Sequence, residues 1–461
     1  MREKEFLPLV ESKLGIGALN DMQKRMMDAA SESRDIILLS PTGSGKTLAF
    51  TLPMLKMLKA PTGRVQAVVI APSRELAPTG RVQAVVIAPS RELALQISGV
   101  IDRLAAGFKV SVLYGGHKVE DEVNTLSVTP DIIVATPGRL LDHAKRGNID
   151  LTPVRILVLD EFDKSLELGF EDDMRKIVNR LKNVSRIILT SATQAETLPA
   201  FLKLTNPLTL DYTGGVRDLK RRMRVHRVDS DSKDKLQGLL FLLRQLSAGG
   251  TQERTIVFVN HRESAERVEE YLKRNGVAAV LYHGALDQRD RETALARFNN
   301  GSCPVLVATD LAARGLDIEG VKDVIHYHQP LTPEAYTHRN GRTARVDADG
   351  DVYVLVGPEE DVKPFVEFDT TYHVDTDAPR SPRPKMATLY FSAGKKEKLN
   401  RGDIVGFLAK TGGLDGSEIG KIDVYDHYAL AAIPAEKARE IEKRVSSEKI
   451  KGEKRKITLM D

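Results

Sequence analysis

Short runs of β-branched and aliphatic residues recur along this chain, each followed by a polar or helix-like stretch. In the first half they are Asp35–Leu39 (DIILL), Ala84–Ile87 (AVVI), Val110–Leu113 (VSVL), Asp131–Ala135 (DIIVA), Arg155–Leu159 (RILVL) and Arg186–Leu189 (RIIL). In the second half they are Thr255–Val259 (TIVFV), Val277–Leu281 (VAAVL), Pro304–Ala308 (PVLVA), Asp323–His326 (DVIH) and Asp351–Val356 (DVYVLV). Most are continuously apolar, without the apolar–polar alternation of a half-exposed strand. Such strands are buried on both faces, which indicates parallel sheets covered by helices. The fold class is therefore α/β: two tandem parallel-sheet domains, at 1–210 and 225–370, plus a small C-terminal α+β domain at 387–461. The polar, glycine-containing stretch 211–224 is expected to be a hinge. The stretch 371–386, with three prolines in polar surroundings, is expected to be a semi-extended linker.

Composition narrows the class further. With 461 residues there is room for two to four domains, each with its own core. No apolar run approaches the ~18 residues of a membrane helix. The start, MREKEFLPLV, lacks the basic-then-apolar order of a secretion signal. The one cysteine, Cys303, has no partner in the chain, which excludes an intrachain disulfide framework and fits a reducing compartment. A cytoplasmic protein without membrane contact is expected. The net charge of +4 is too small to name a partner.

Residues 60–76 (APTGRVQAVVIAPSREL) recur unchanged as residues 77–93. Solenoid repeats drift and number at least three, so an in-frame duplication is the better account. Only one copy of a central strand can occupy its slot. The second copy is expected there, because it continues into SRELALQI as a helix. The first copy runs into Ala77–Pro78, which stops a helix, and should bulge out as a loop.

The segment SPTGSGKT (40–47) follows a strand and opens a helix. A loop of this kind points successive backbone N–H groups at phosphate oxygens, with Lys46 reaching the β/γ-phosphates and Thr47 facing Mg²⁺. The residues of the loop are Thr42, Gly43, Ser44, Gly45, Lys46 and Thr47. Such a site needs a carboxylate at the end of a neighbouring strand. LVLDEFD (157–163) supplies two: Asp160 to hold the metal, largely through water, and Glu161 to orient and deprotonate an attacking water. Helix capping by these acids is the plainer alternative.

In order along residues 1–370 the motifs resemble those of the DEAD-box RNA helicases. They are Phe6 with Gln23, SPTGSGKT, PSRELA (89–94), Gly115–Gly116, TPGR (136–139), DEFD (160–163) and SAT (191–193). QRDR (288–291), ATD (308–310), RGLDI (314–318) and HRNGRTAR (338–345) follow. The resemblance implies two RecA-like domains, an RNA-stimulated ATP hydrolase with ATP and Mg²⁺ as cofactors, and an adenine-reading role for Phe6 and Gln23. It also implies that Arg342 and Arg345 reach the γ-phosphate from the second domain, with Asp317 at the same nucleotide. Asp163, Ser191, Thr193 and His338 would couple nucleotide state to RNA. RNA contacts carried over by motif are Ser90, Arg91, Gly116, Thr136, Arg139, Gln288, Arg291 and Thr309. The chain departs from the family pattern at Phe162, where Ala is usual, at Leu19, usually Pro, and at Asn340 and Ala344, usually Ile and Gly.

The C-terminal region alternates strand-like and helical stretches as a βαββαβ unit, the layout of an RNA-recognition module whose sheet face stacks bases. Tyr390, Tyr425 and Tyr428 are candidate stackers. The basic residues cluster at Lys395, Lys396, Lys398 and Arg401, then at Lys449, Lys451, Lys454, Arg455 and Lys456. GDIVG (402–406), GLDGSEIGK (413–421) and KIKG (449–452) resemble the RNA-binding domain of DbpA-type bacterial helicases. That resemblance implies a tethered module gripping a hairpin of 23S-type rRNA near the peptidyl-transferase region, in pre-50S particles, by a protein acting as a monomer. Candidate contacts there are Lys395, Lys396, Arg401, Lys449 and Lys451. The expected function is local melting of short RNA duplexes during large-subunit assembly. The alternative is an ATP-gated RNA clamp that unwinds little. A DNA-translocating motor is disfavoured by Gln23 and the TPGR-type motifs.

Overall fold

The structure is a computed structural model. It describes residues 3–32, 35–41, 43–58, 82–105, 107–192, 198–213, 223–250, 253–310, 318, 320–343 and 349–460. The chain divides into two compact units near residue 218.

In the first unit the elements are α1 (Glu3–Leu14), α2 (Asp21–Ala29), β1 (Ile36–Leu39), α3 (Lys46–Met57), β2 (Ala84–Ile87), α4 (Arg91–Leu104) and β3 (Val110–Leu113). They continue through α5 (Val119–Leu126), β4 (Ile132–Ala135), α6 (Pro137–Lys145), β5 (Ile156–Leu159), α7 (Phe162–Glu167), α8 (Glu171–Val178), β6 (Arg186–Ser191) and β7 (Leu208–Asp211). The seven strands form one parallel sheet in the order β3-β4-β2-β5-β6-β1-β7. Neighbouring residues of each central strand enter different cores. Ala84, Val86, Ile132 and Val134 join one cluster with Phe6, Met26, Phe50 and Ile97. Val85, Ile87, Ile133 and Leu157 join another with Leu140, Met174 and Ile177. Two covered faces are the reason these strands read as unbroken apolar runs.

β2 is built from the second copy of the repeat, as expected, and Ser90 caps α4 by accepting from the Leu93 amide at 3.2 Å. The first copy lies outside the described residues.

The second unit contains β8 (Met223–Asp229), α9 (Leu236–Leu246), β9 (Thr255–Val259), α10 (Arg262–Arg274), β10 (Ala279–Tyr282), α11 (Gln288–Asn299) and β11 (Val305–Thr309). β12 (Asp323–His326), α12 (Pro333–Asn340), β13 (Gly350–Val356) and β14 (Thr370–Thr371) follow. Their sheet is also parallel, in the order β10-β11-β9-β12-β13-β8-β14. β7 and β8 escaped the sequence reading. Both lie near a sheet edge with exposed positions between buried ones, so LTLD and MRVHRVD look polar. The expected hinge thus loses Asp211, the last residue of β7, and Met223–Arg224, which open β8. The expected linker begins fixed to the sheet. Tyr372 meets the Tyr353 ring edge-on at 5.2 Å, and Gln245 of α9 bonds both the His373 carbonyl and the Asp375 amide.

The last elements are β15 (Met386–Phe391), α13 (Arg401–Lys410), β16 (Ile422–Val424), β17 (Ala429–Pro434), α14 (Ala438–Val445), β18 (Lys449–Ile450), β19 (Glu453–Lys454) and β20 (Ile457–Met460). Four of these strands form an antiparallel sheet ordered β16-β17-β15-β20, the βαββαβ arrangement that the sequence suggested, with β18 and β19 as a separate hairpin. This sheet lies against α11. Tyr428 donates to Glu292 Oε2 at 2.7 Å, and the buried Asn300 amide donates to Thr388 Oγ1 at 2.9 Å.

Candidate nucleotide and RNA site

Ligands of open α/β sheets collect at the carboxyl ends of the strands, and the first unit places its motifs there. β1 delivers the loop before α3. Gly43 and Gly45 take positive φ of 79° and 88°, the left-handed turn that lets the backbone fold back over a phosphate. The buried Lys46 ammonium donates to the Ser40 carbonyl at 2.9 Å, and Ser40 Oγ bonds Ser44 Oγ at 2.6 Å. Thr47 sits in the first turn of α3, and Thr42 lies outside the described residues.

The loop is held from α2. Asn20 and Gln23 form a reciprocal capping box. Asn20 Nδ2 also reaches the Ser44 carbonyl at 3.1 Å, and Gln23 Nε2 the Gly45 carbonyl at 3.3 Å. Phe6 is 3% exposed and belongs to the core cluster with Val10 and Leu19. The Leu19 departure is thereby accounted for as a packing residue.

Asp160 directly follows β5, and its carboxyl bonds Thr190 Oγ1 of β6. Burial, then the Glu161 charge, push the Asp160 carboxyl up to about 6, against the opposing pull of Lys46. Glu161 has φ +46°, rare for a side-chain-bearing residue. Its amide donates to Thr190 Oγ1 at 3.2 Å, and its carboxylate lies 3.3 Å from the buried Lys164 ammonium. Asp163 accepts from the Ala192 amide at 3.1 Å, a direct link between DEFD and the SAT segment that follows β6. Ser191 ends β6 and Thr193 lies outside the described residues. Phe162 is buried among the aliphatic side chains under the second sheet face, so its departure from Ala is a packing substitution.

The lobe-one RNA candidates gather on neighbouring loops. Ser90 and Arg91 begin α4, Thr136 directly precedes α6, and Gly116 sits at φ +102°, where a Cβ would fall 2.2 Å from Arg91 Nη1. Arg139 does not point a free guanidinium outward. It donates to Glu122 Oε2 and to the His117 carbonyl, both at 2.9 Å.

In the second unit Gln288 opens α11, accepting from Arg291 at 3.0 Å and donating to Glu292 at 2.9 Å. Thr309 ends β11. Arg339 of the HRNGRTAR run is heavily engaged. It pairs with Asp310 through two nitrogens at 2.5 and 2.8 Å, and donates to the His328 carbonyl and Asn260 Oδ1, each at 2.7 Å. Asn340 accepts from the buried His326 at 2.8 Å. Burial and the Arg339 charge hold that imidazole neutral, down at about 3, and Asn340, where Ile is usual, gives it a hydrogen-bond partner. His338 and Arg342 are buried, whereas Asp317 and Arg345 lie outside the described residues.

At the C-terminal sheet the three tyrosines stack on one another, Tyr425 on Tyr428 at 4.5 Å and Tyr390 near Tyr428 at 6.0 Å. The Arg289 guanidinium of α11 lies 5.3 Å from both the Tyr390 and Tyr428 rings. Tyr428 is buried and Tyr390 and Tyr425 are half-buried against it and α11, so the three do not form a bare stacking platform. The two lysine clusters, distant in sequence, meet. Lys451 Nζ reaches the Lys398 carbonyl at 2.8 Å and Asp403 at 3.0 Å, leaving Lys395, Lys396, Arg401 and Lys449 exposed around them.

Sequence reasoning missed Glu122, Lys164, Asn260 and the Asp310–Arg339 pairing. Asp310 lies inside the quoted ATD motif and gave a signal; Glu122 is one acid among several in α5 and gave none.

The DEAD/DEAH box helicase family model matches residues 20–79 and 78–201, its break falling within the repeated segment. The helicase conserved C-terminal domain matches 234–347, and the DbpA RNA binding domain 388–459. The chain is 33% identical to the ATP-dependent RNA helicase DbpA of Escherichia coli, over 97% of this chain and 96% of that protein. The chain belongs to the DEAD-box RNA helicases. It is 33% identical to the DEAD-box ATP-dependent RNA helicase RhpA of Helicobacter pylori, over 75% of this chain and 66% of that one. The structure of S. cerevisiae Dbp5 bound to RNA and ADP BeF3 matches with a TM-score of 0.65 at 25% identity, covering 82% of this chain and 94% of that one. DEAD-box membership makes the protein an ATP hydrolase and RNA helicase built on two RecA-like domains, with an RNA-binding domain after them. Among the described residues no helix is long and apolar enough to cross a membrane.

Proposed function

We propose that this helicase melts short RNA duplexes locally and is directed to large-subunit ribosomal RNA by its C-terminal domain during ribosome assembly. The observation that supports the targeting is the basic surface formed where Lys398 and Lys451 meet, on a domain of the DbpA type. ATP would sit on the loop 42–47 with Lys46 against its β/γ-phosphates, Phe6 and Gln23 lying on the adenine side. Asp160, with Thr47, fits a magnesium ion. Burial, then the neighbouring Glu161 charge, raise this carboxyl to about 6 against the pull of Lys46, and a divalent cation bound there would favour its charged form. Such an ion would be held mostly by phosphate and water. Bound there, the ion would neutralise charge on the phosphates. Glu161, whose carboxylate lies 3.3 Å from the Lys164 ammonium, would take the proton of the attacking water. By their motifs, Arg342 and Arg345 would serve the γ-phosphate and Asp317 the same nucleotide. Arginines supplied in this way accelerate hydrolysis roughly 10³–10⁵-fold.

The RNA contacts that the motifs imply are Ser90, Arg91, Gly116 and Thr136 in the first unit and Gln288, Arg291 and Thr309 in the second, each to phosphate or ribose and so reading no sequence. Asp163, Ser191, Thr193 and His338 would link the two ligands. The protein is proposed to act as a monomer in the cytoplasm. The test is steady-state ATPase with full ribosomal RNA, with isolated rRNA hairpins and with unrelated RNA, alongside strand displacement on duplexes of increasing length. Selective stimulation by one rRNA element, with unwinding that falls steeply with length, is expected. Equal stimulation by all three RNAs would leave a general helicase, and ATP-dependent retention without displacement would leave a clamp.

A further inference from the structure

Glu122 belongs to none of the helicase motifs, yet it joins two of them. Its carboxylate is nearly buried, at 5% exposure, and takes four partners. Oε1 accepts from the Tyr114 amide at 2.9 Å and lies 3.1 Å from His117 Nε2. Oε2 accepts from Arg139 Nη1 at 2.9 Å and from His143 Nε2 at 2.7 Å. Asn148 Nδ2 lies 3.0 Å from His143 Nδ1; donating there fixes the tautomer that offers Nε2–H to Glu122. Tyr114 and His117 flank the Gly115–Gly116 loop, and Arg139 closes the circuit by donating to the His117 carbonyl. Gly116 in turn packs on Arg91, the start of α4. A solvated surface acid has none of this: the desolvated carboxylate is matched on every side by donors, which a side chain needs in order to be tolerated there.

We propose that Glu122 is a positioning residue for the RNA groove of the first unit. It holds Arg139 inward and thereby sets the Gly115–Gly116 loop against Arg91 in the geometry that grips an RNA backbone. This rests on the RNA-groove reading above and adds to it a residue that touches no nucleotide. On this account Arg139 acts through the loop instead of reaching a phosphate itself.

The full-length protein tests it, with fluorescein-labelled oligouridine as the probe in the presence of ADP–beryllium fluoride. E122Q keeps the shape but loses the charge that Arg139 requires. Its KM for RNA in the ATPase assay, and its Kd for oligouridine, should rise roughly ten- to a hundredfold, the value of one hydrogen bond to a charged group. The KM for ATP and the kcat at saturating RNA should stay within about twofold, well under the tenfold that 1.4 kcal/mol brings. R139Q should show the same split, and the double variant should be no worse than either single one, because both remove the same contact. E122D, which keeps the charge, should recover part of the loss. Unchanged RNA affinity in E122Q overturns the proposal. So does a parallel fall in kcat, ATP affinity and melting temperature, which marks a merely structural acid. Should E122Q not fold, R139Q decides by the same split. A wild-type enzyme indifferent to oligouridine would instead remove the RNA groove, a result distinguishable from both.

Discussion

Restoring the family's alanine at Phe162 should harm this protein. Phe162 is the first residue of α7, 1% exposed, inside the cluster that holds Leu140, Leu159, Met174 and Ile177 together. An aromatic ring of this size buries on the order of 150 Å², which at ~25 cal/mol/Å² is about 4 kcal/mol. Measured Phe→Ala changes, which add the cavity left behind, cost about 3–5 kcal/mol. For a unit of 150–250 residues each kcal/mol lowers the midpoint by about 2–4 °C, so F162A should melt roughly 6–20 °C earlier. The chain has no tryptophan, so far-UV circular dichroism is the probe, with urea unfolding as a second axis. A functional consequence follows from geometry. Glu161, immediately before Phe162, holds an unfavourable φ of +46° that the surrounding packing must enforce. Loosening that packing should lower kcat more than ATP affinity. A variant that melts within a degree of wild type, or hydrolyses ATP faster, would show that the ring contributes nothing to the cluster and refute the reasoning.

Asp160 gives a pH dependence of definite sign. Its folded-state value of about 6 lies above the ordinary 3.8, so the folded chain binds the proton more tightly and stability falls as pH rises between those two values. D160N should flatten that slope in urea midpoints measured across the window. Asp323, raised to about 7 by burial and by Asp351, adds the same sign in the second unit, and D323N separates the two. Glu161→Gln should abolish ATP turnover while leaving ATP-dependent oligouridine retention intact; residual hydrolysis above a few per cent of wild type would remove Glu161 from the role of base. Deleting residues 60–76 should leave ATPase unchanged or raise the melting temperature, because β2 is already supplied by the second copy; loss of folding would contradict that placement.

Much of the architecture was legible because local chemistry is stiff. IIVA and ILVL are too apolar to be left in solvent, and SPTGSGKT cannot be an ordinary turn when a strand precedes it and a helix follows. LTLD and MRVHRVD were missed because strands near a sheet edge meet solvent on one side and lose their pattern. The site was legible where one residue type has one use, as with Lys46 and the acids of DEFD. It was opaque where a residue acts through distant partners.

The sequence by itself determined two parallel sheets, a phosphate loop ahead of α3 and paired acids at the end of β5, since periodicity and glycine spacing act within a few residues of the chain. Only the tertiary structure decided that Phe162 is core and that Asn340 answers His326. It alone turned Arg139 toward Glu122 and spent the three tyrosines on α11. Those outcomes depend on which desolvated groups meet across the fold, and a buried polar atom takes whatever partner the packing brings within hydrogen-bond distance, however far away it lies in the chain.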